Sequence, residues 1–159
     1  NLKIMKKKIV LLGVVIFLSA CFFICKNERF IEQGYSFEAP QDWEKTYETG
    51  VLTFLKGDDY IFFMKEELKG RSDSQYVDYI KAQIESSSES TEILEEKREG
   101  RFYVFYTRIL QDEDNFIVGT ALIKGLNDMY FVVSLKTYET TFENTKPVFE
   151  KVYKTFKLR

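Results

Sequence analysis

The sequence predicts an α+β domain, with a central antiparallel sheet of six to seven strands flanked by two main helices and preceded by an N-terminal signal or anchor segment. Three observations carry this expectation. Runs rich in β-branched and aromatic residues are punctuated by single glycines at positions 34, 50, 57, 70, 100 and 125, the pattern of short strands separated by turns. Two stretches switch to an apolar period near four, as amphipathic helices do. The longest strand runs are apolar on both faces, so the sheet needs a covering layer on each side. A chain of 159 residues with 45% hydrophobic and 30% charged residues and only 2 prolines is neither disordered nor collagen-like, and suits one domain.

Tyr35-Ser-Phe-Glu38 reads as a short first strand stopped by Pro40, and Trp43–Tyr47 as a second. Val51–Lys56 and Tyr60–Glu67 form a hairpin across Gly57-Asp58-Asp59, whose composition suits a tight turn. Between Asp73 and Ser87, Tyr76, Val77, Ile80 and Ile84 share one stripe, which predicts a helix capped by Ser72 or Asp73. The serines of 86–90 read as its fraying end and a loop. Glu92–Lys97, Arg101–Leu110, Phe116–Lys124 and Met129–Thr137 follow as strands, with Gly119 marking a bulge. In the second of these, Phe102, Val104 and Tyr106 point one way while Tyr103, Phe105 and Ile109 point the other. A closing helix is expected from Pro147, burying Val148, Phe149, Val152, Tyr153 and Phe156. Lys151, Lys154 and Lys157 fall on its solvent side, either as a solvated face or as a contact for acidic lipid headgroups.

The first 25 residues differ from the rest. Lys3 and Lys6-Lys7-Lys8 precede an uncharged apolar run from Ile9 to Leu18, which ends in Ser19-Ala20-Cys21. That is the layout of a secretory signal. Leu18-Ser19-Ala20-Cys21 resembles the bacterial lipobox, and the resemblance implies a diacylglyceryl group on the Cys21 thiol and Cys21 as the mature N-terminus. The chain then divides into a signal peptide at 1–20, a lipidated tether at 21–30 and a globular domain at 31–159. An uncleaved transmembrane anchor is the alternative, although the 16 apolar residues from Ile9 to Ile24 fall just short of the roughly 17–25 needed to span a membrane. Either way the lysines stay cytoplasmic and the domain lies on the extracytoplasmic face of the cell membrane. Cys25 reads as an inert thiol in the tether. Loss of the four N-terminal lysines takes the net charge from −2 to −6, which argues against a nucleic-acid partner.

Tyr35-Ser-Phe37 followed by Pro40 and Trp43, together with a closing amphipathic stretch from Val148 through Thr155-Phe156, resembles the PsbP-like superfamily. The order of elements between them agrees, so the resemblance covers most of residues 35–157. It implies an α/β/α sandwich. It also implies a non-catalytic role, since such domains include an extrinsic photosystem II subunit, a nuclear-import factor that binds a small GTPase, and bacterial lipoproteins of unassigned role. No binding residue carries over, because this chain has no histidine to match metal-contacting positions.

The absence of histidine and the presence of only 2 cysteines exclude a Ser-His-Asp triad, a Cys-His dyad and the usual zinc sites of a monomer. No catalytic residue, metal ligand set or cofactor is read from the sequence. Glu66, Glu67, Asp112 and Asp114 are the candidate carboxylates for an envelope-polymer hydrolase, which needs two of them face to face. Asp112-Glu113-Asp114-Asn115 offers oxygens to calcium but lacks the spacing and glycine of a calcium loop, and it sits where a hairpin should turn. Tyr103, Tyr106 and Tyr130 are candidates to line a groove for a ligand or partner. The leading expectation is a lipid-anchored accessory protein that binds another envelope protein. A carrier or sensor of a small apolar or aromatic molecule is the alternative, and a carboxylate hydrolase the third.

Overall fold

The computed structural model describes the backbone of residues 29–32 and all of residues 34–159. Residues 1–28, with the expected signal peptide, Cys21 and Cys25, lie outside the described residues. Among those described, no helix is long and apolar enough to cross a membrane.

The chain runs β1 (Arg29–Glu32), β2 (Tyr35–Glu38), β3 (Glu44–Glu48), β4 (Val51–Lys56), β5 (Asp59–Glu67), α1 (Asp73–Ser86), β6 (Ser90–Glu99), β7 (Phe102–Gln111), β8 (Asp114–Lys124), β9 (Met129–Tyr138), a 3-10 turn (Glu139–Thr141), α2 (Phe142–Lys154) and β10 (Lys157–Leu158). The predicted class holds: α+β, with a seven-stranded sheet in the order β3-β4-β5-β9-β8-β7-β6 whose described neighbours are all antiparallel. A three-stranded sheet, β1-β2-β10, lies apart from it. The strand expected at Tyr35–Glu38 therefore leaves the central sheet and joins both ends of the chain.

Local chemistry accounts for most elements. α1 starts on a capping box: the Gln75 backbone N–H donates to Ser72 Oγ at 3.3 Å, and the Ser72 N–H donates to Gln75 Oε1 at 2.8 Å. In the β7–β8 hairpin Asp112 and Glu113 both adopt positive φ, 54° and 70°, and Gln111 pairs with Asp114. This is a two-residue turn of the type that follows strand twist.

Three expectations are corrected. α2 begins at Phe142, so Pro147 lies inside it. The first turn is anchored from elsewhere: Thr145 Oγ1 donates to the Thr141 carbonyl at 2.9 Å and lies 3.0 Å from the Thr137 hydroxyl, and the Phe142 ring lies 5.4 Å from that of Tyr106. These contacts outweigh one missing backbone donor. Gly119 is not a bulge, since its register with Tyr106 and Leu135 is regular; a Cβ there would come within 3.0 Å of the Tyr106 ring and 3.1 Å of the Phe149 ring. The bulge lies in edge strand β6, between Ile93 and Glu95. Lys157 belongs to β10, opposite Ser36, not to the closing helix.

One face of the sheet is covered from β4 to β7. Phe54, Phe63, Val104, Tyr106, Ala121, Val133 and Leu135 meet Phe149, Val152 and Tyr153 of α2 and Tyr35 and Phe37 of β2 in one cluster. Phe37 stacks on Phe63 at 4.0 Å, and the Glu38 N–H donates to Thr155 Oγ1 at 3.0 Å. Each such aromatic, wholly removed from water, stabilises the fold by about 1.5–3 kcal/mol. Among the described residues the other face carries α1 alone, through a smaller cluster of Leu68, Tyr76, Ile80, Phe105, Leu122, Tyr130 and Val132.

Candidate functional site

The candidate surface follows from that asymmetry. The α1 cluster contains no residue of β3 or β4. Register places Val51, Thr53, Leu55, Tyr60, Phe62 and Val118 on the same face as α1, and all are half-buried. Among the described residues, α1 therefore covers this face over β5, β9, β8 and β7 at the Tyr130 end, and leaves bare both the Tyr138 end and the β3–β4 edge. At the bare end Phe116 and Tyr138 stack with ring centroids 4.6 Å apart, and Lys136 Nζ sits 4.2 Å above the Phe116 ring while donating to Gln111 Oε1 at 2.6 Å.

Carboxylates border this open half. Asp58 comes from the β4–β5 turn, Asp112 and Asp114 from the β7–β8 hairpin, and register puts Glu44 and Glu48 of edge strand β3 on the same face. Burial, with the charges of Asp58 and Asp114, raises the Tyr138 phenol above its ordinary value. Burial lowers the Lys136 ammonium, against the pull of Asp112. None of the five forms an ion pair with a described residue, whereas carboxylates elsewhere do: Glu95 with Lys97 and Lys146, Glu150 with Lys154, Glu38 with Lys151, Glu139 with Arg108, Asp73 with Lys124.

The sequence-predicted groove residues do not assemble into one site. Tyr106 is buried against α2, its hydroxyl 3.3 Å from Glu150 Oε1, while Tyr130 is buried on the opposite face against Tyr76, at 4.7 Å between rings. Tyr103 lies on the α1 face too, donating to Glu96 and receiving a bond from Lys81 at 3.3 Å. Burial, joined by the neighbouring Asp73 carboxylate, pushes the Tyr130 phenol up to about 12; Tyr76 and Tyr106 are raised further, first by burial and then by nearby charge. Tyr103 and Tyr106 are three apart on one strand, so a period of two already separates them.

Two recesses flank α1. One, of about 330 Å³, lies between Lys81, Ile84, Thr91, Ile93 and Thr107. The other, of about 230 Å³, lies between Phe62, Met64, Tyr79, Gln83, Thr120 and Ser134. Ile84 borders both; the first is at the bottom of the roughly 300–1,000 Å³ of ordinary ligand clefts and the second falls below it. Glu66 accepts from the Tyr76 hydroxyl at 2.7 Å and pairs with Tyr130 at one end of the sheet, while Asp114 lies beyond the Phe116–Tyr138 pair at the other. Eight residues of strand, about 27 Å, separate those rows, too far for a carboxylate pair to act on one bond. Glu67 points to the α2 face, where it pairs with Met129. Among the described residues no group of three or more acidic or cysteine side chains is placed to hold a metal. The basic residues of the tail are separated: Lys151 pairs with Glu38 at 3.0 Å, Lys154 with Glu150 at 2.8 Å, and Lys157 is exposed on β10.

Solved structures share this architecture at low sequence identity. Cyanobacterial PsbP (CyanoP) from Synechocystis matches with a TM-score of 0.63 and 16% identity, over 89% of this chain and 99% of that one. The Ran-binding protein Mog1p of Saccharomyces cerevisiae matches at 0.61 and 12%, over 84% and 96%. LpqN of Mycobacterium tuberculosis, involved in cell envelope biogenesis, matches at 0.54 and 10%, over 84% and 90%. The fold is PsbP-like. No family model matches the chain, and no curated protein matches its sequence.

Proposed function

We propose that the chain is a membrane-tethered extracytoplasmic lipoprotein that binds another envelope protein and carries out no catalysis. The observation that carries the binding role is the half-bare sheet face: four strands, β4, β5, β9 and β8, present half-buried apolar side chains with no covering layer among the described residues. Apolar surface of this extent with a polar border is characteristic of an interaction site. The fold agrees with that role, since structures sharing it include a Ran-binding protein and a protein of cell envelope biogenesis.

The tether rests on the signal layout and on Leu18-Ser19-Ala20-Cys21. β1, through which the chain enters the domain, pairs with β2 on the α2 side of the sheet. Lys151, Lys154 and Lys157 belong to the same side. In this reading the α2 layer faces the headgroups and the bare face is turned away from them.

Two measurements test the reading. Fatty-acid labelling of the full chain should give a labelled band that Cys21→Ala abolishes; an unlabelled wild type contradicts the lipid anchor. Chemical cross-linking in native membranes, read by mass spectrometry, should return a recurrent protein neighbour, and repeated failure contradicts the binding role.

A further inference from the structure

We infer that the bare half of the sheet docks a cationic amphipathic segment of a partner protein; this rests on the protein-binding reading above and specifies its chemistry. The apolar part is Leu55, Phe62, Phe116 and Tyr138. The ionic part is Glu44 and Glu48 along edge strand β3 and Asp58, Asp112 and Asp114 at the Tyr138 end, none of them in an ion pair with a described residue; one half-buried lysine, Lys136, shares the face and feels Asp112. A border of one sign around an apolar floor selects a partner with apolar side chains flanked by lysine or arginine.

Charge and size exclude other occupants. Anionic headgroups and nucleic acid are repelled by the border. Two copies of this face would bring like charges together. The five strands β3-β4-β5-β9-β8 span about 19 Å at ~4.8 Å each, the length of a helix of roughly 12 residues. A patch of that width offers on the order of 400 Å², well below the ~800 Å² per partner of a stable domain interface, so the occupant is a segment. The basic N-terminal residues of this chain, Lys3 and Lys6-Lys7-Lys8, are removed with residues 1–20 in the lipoprotein reading above.

The test places the photo-crosslinker p-benzoylphenylalanine at position 62 of the full-length chain in its native membrane, with position 144 on the solvent side of α2 as the control. The expected result is cross-linking from position 62 to a partner peptide of net positive charge, with a yield that falls roughly tenfold when Asp58→Lys, Asp112→Lys and Asp114→Lys are combined. The corresponding Asn substitutions should give an intermediate loss. Circular dichroism and urea unfolding establish that each variant is folded, and the milder Asn set keeps the test valid should the Lys set fail to fold. Cross-links from position 62 to acidic or neutral peptides, to lipid, to a second copy or to residues 1–28 of the same chain overturn the inference, as does a yield insensitive to both charge sets. A neighbour captured from position 144 and not from 62 overturns this docking face while leaving the protein-binding role intact. No neighbour from either position overturns both.

Discussion

Gly119 lies directly under the ring of Phe149: a Cβ at this position would meet Phe149 Cε1 at 3.1 Å and Tyr106 Cε1 at 3.0 Å. Both rings are fully buried and held by further rings, Phe142 at 5.4 Å from Tyr106 and Tyr153 at 5.2 Å from Phe149. The absent side chain lets α2 sit close to the sheet. Gly119→Ala should therefore overpack this contact and destabilise the domain by about 1–3 kcal/mol, read as a lower urea midpoint with an unchanged slope.

Glu113 has φ 70° in the β7–β8 turn, a conformation that disfavours any residue with a Cβ. Asp-Gly is the preferred pair for this turn. Glu113→Gly should raise stability by about 1 kcal/mol, partly offset by the added freedom of the unfolded chain, and thermal unfolding would register the gain.

Ser72 and Gln75 satisfy two backbone donors at the start of α1, and α1 is the only helix on its face of the sheet among the described residues. Ser72→Ala should cost about 1 kcal/mol, with the faster amide exchange confined to residues 73–76.

Glu95 is held below its ordinary value of 4.5, first by the hydrogen bond from Lys146 and then by that from Lys97. A carboxylate with a depressed folded value contributes stability above its unfolded value, and that contribution is lost as pH falls through the depressed one. Urea midpoints should thus fall on acidification from about pH 4.5 downward, and Glu95→Gln should make the acid limb shallower. An acid limb unaltered by the substitution would show that the pair of Lys146 and Lys97 contributes nothing there.

Much of the fold is legible in the residues, and the exceptions have physical causes. The capping serine of α1, the turns at Gly57-Asp58 and Asp112-Glu113, and the two-faced apolarity of β7 are local signals, and each appears where the chemistry puts it. The start of α2 is not local. Proline marks a first turn, but Thr145 and Phe142 extend the helix backwards through bonds to β9 and a ring on β7. Nor does a four-residue strand carry a sign of which sheet it joins; β2 leaves the central sheet because Phe37 finds Phe63 across the layer gap.

The site itself was less legible. Tyrosine content points to a groove, yet Tyr106 and Tyr130 lie on opposite faces. The open half exists because α1 spans only one end of the sheet, a property of packing that no local pattern records. The clue available in the sequence was the concentration of acidic residues in the β4–β5 and β7–β8 turns, which read as ordinary solvated turns until the topology brought them to the same end.

In the proposed reading, the face bearing Leu55 and Phe62 is a docking surface and not part of the folding core. Its most direct test combines Leu55→Asp with Phe62→Asp in the full-length chain and measures both urea stability and recovery of the cross-linked neighbour from native membranes. The expected result is stability within about 1 kcal/mol of wild type, since both positions are half-buried, together with loss of the neighbour. A stable double variant that retains its neighbour would contradict the account, and so would a loss of stability like that of Phe63→Asp in the opposite, closed core.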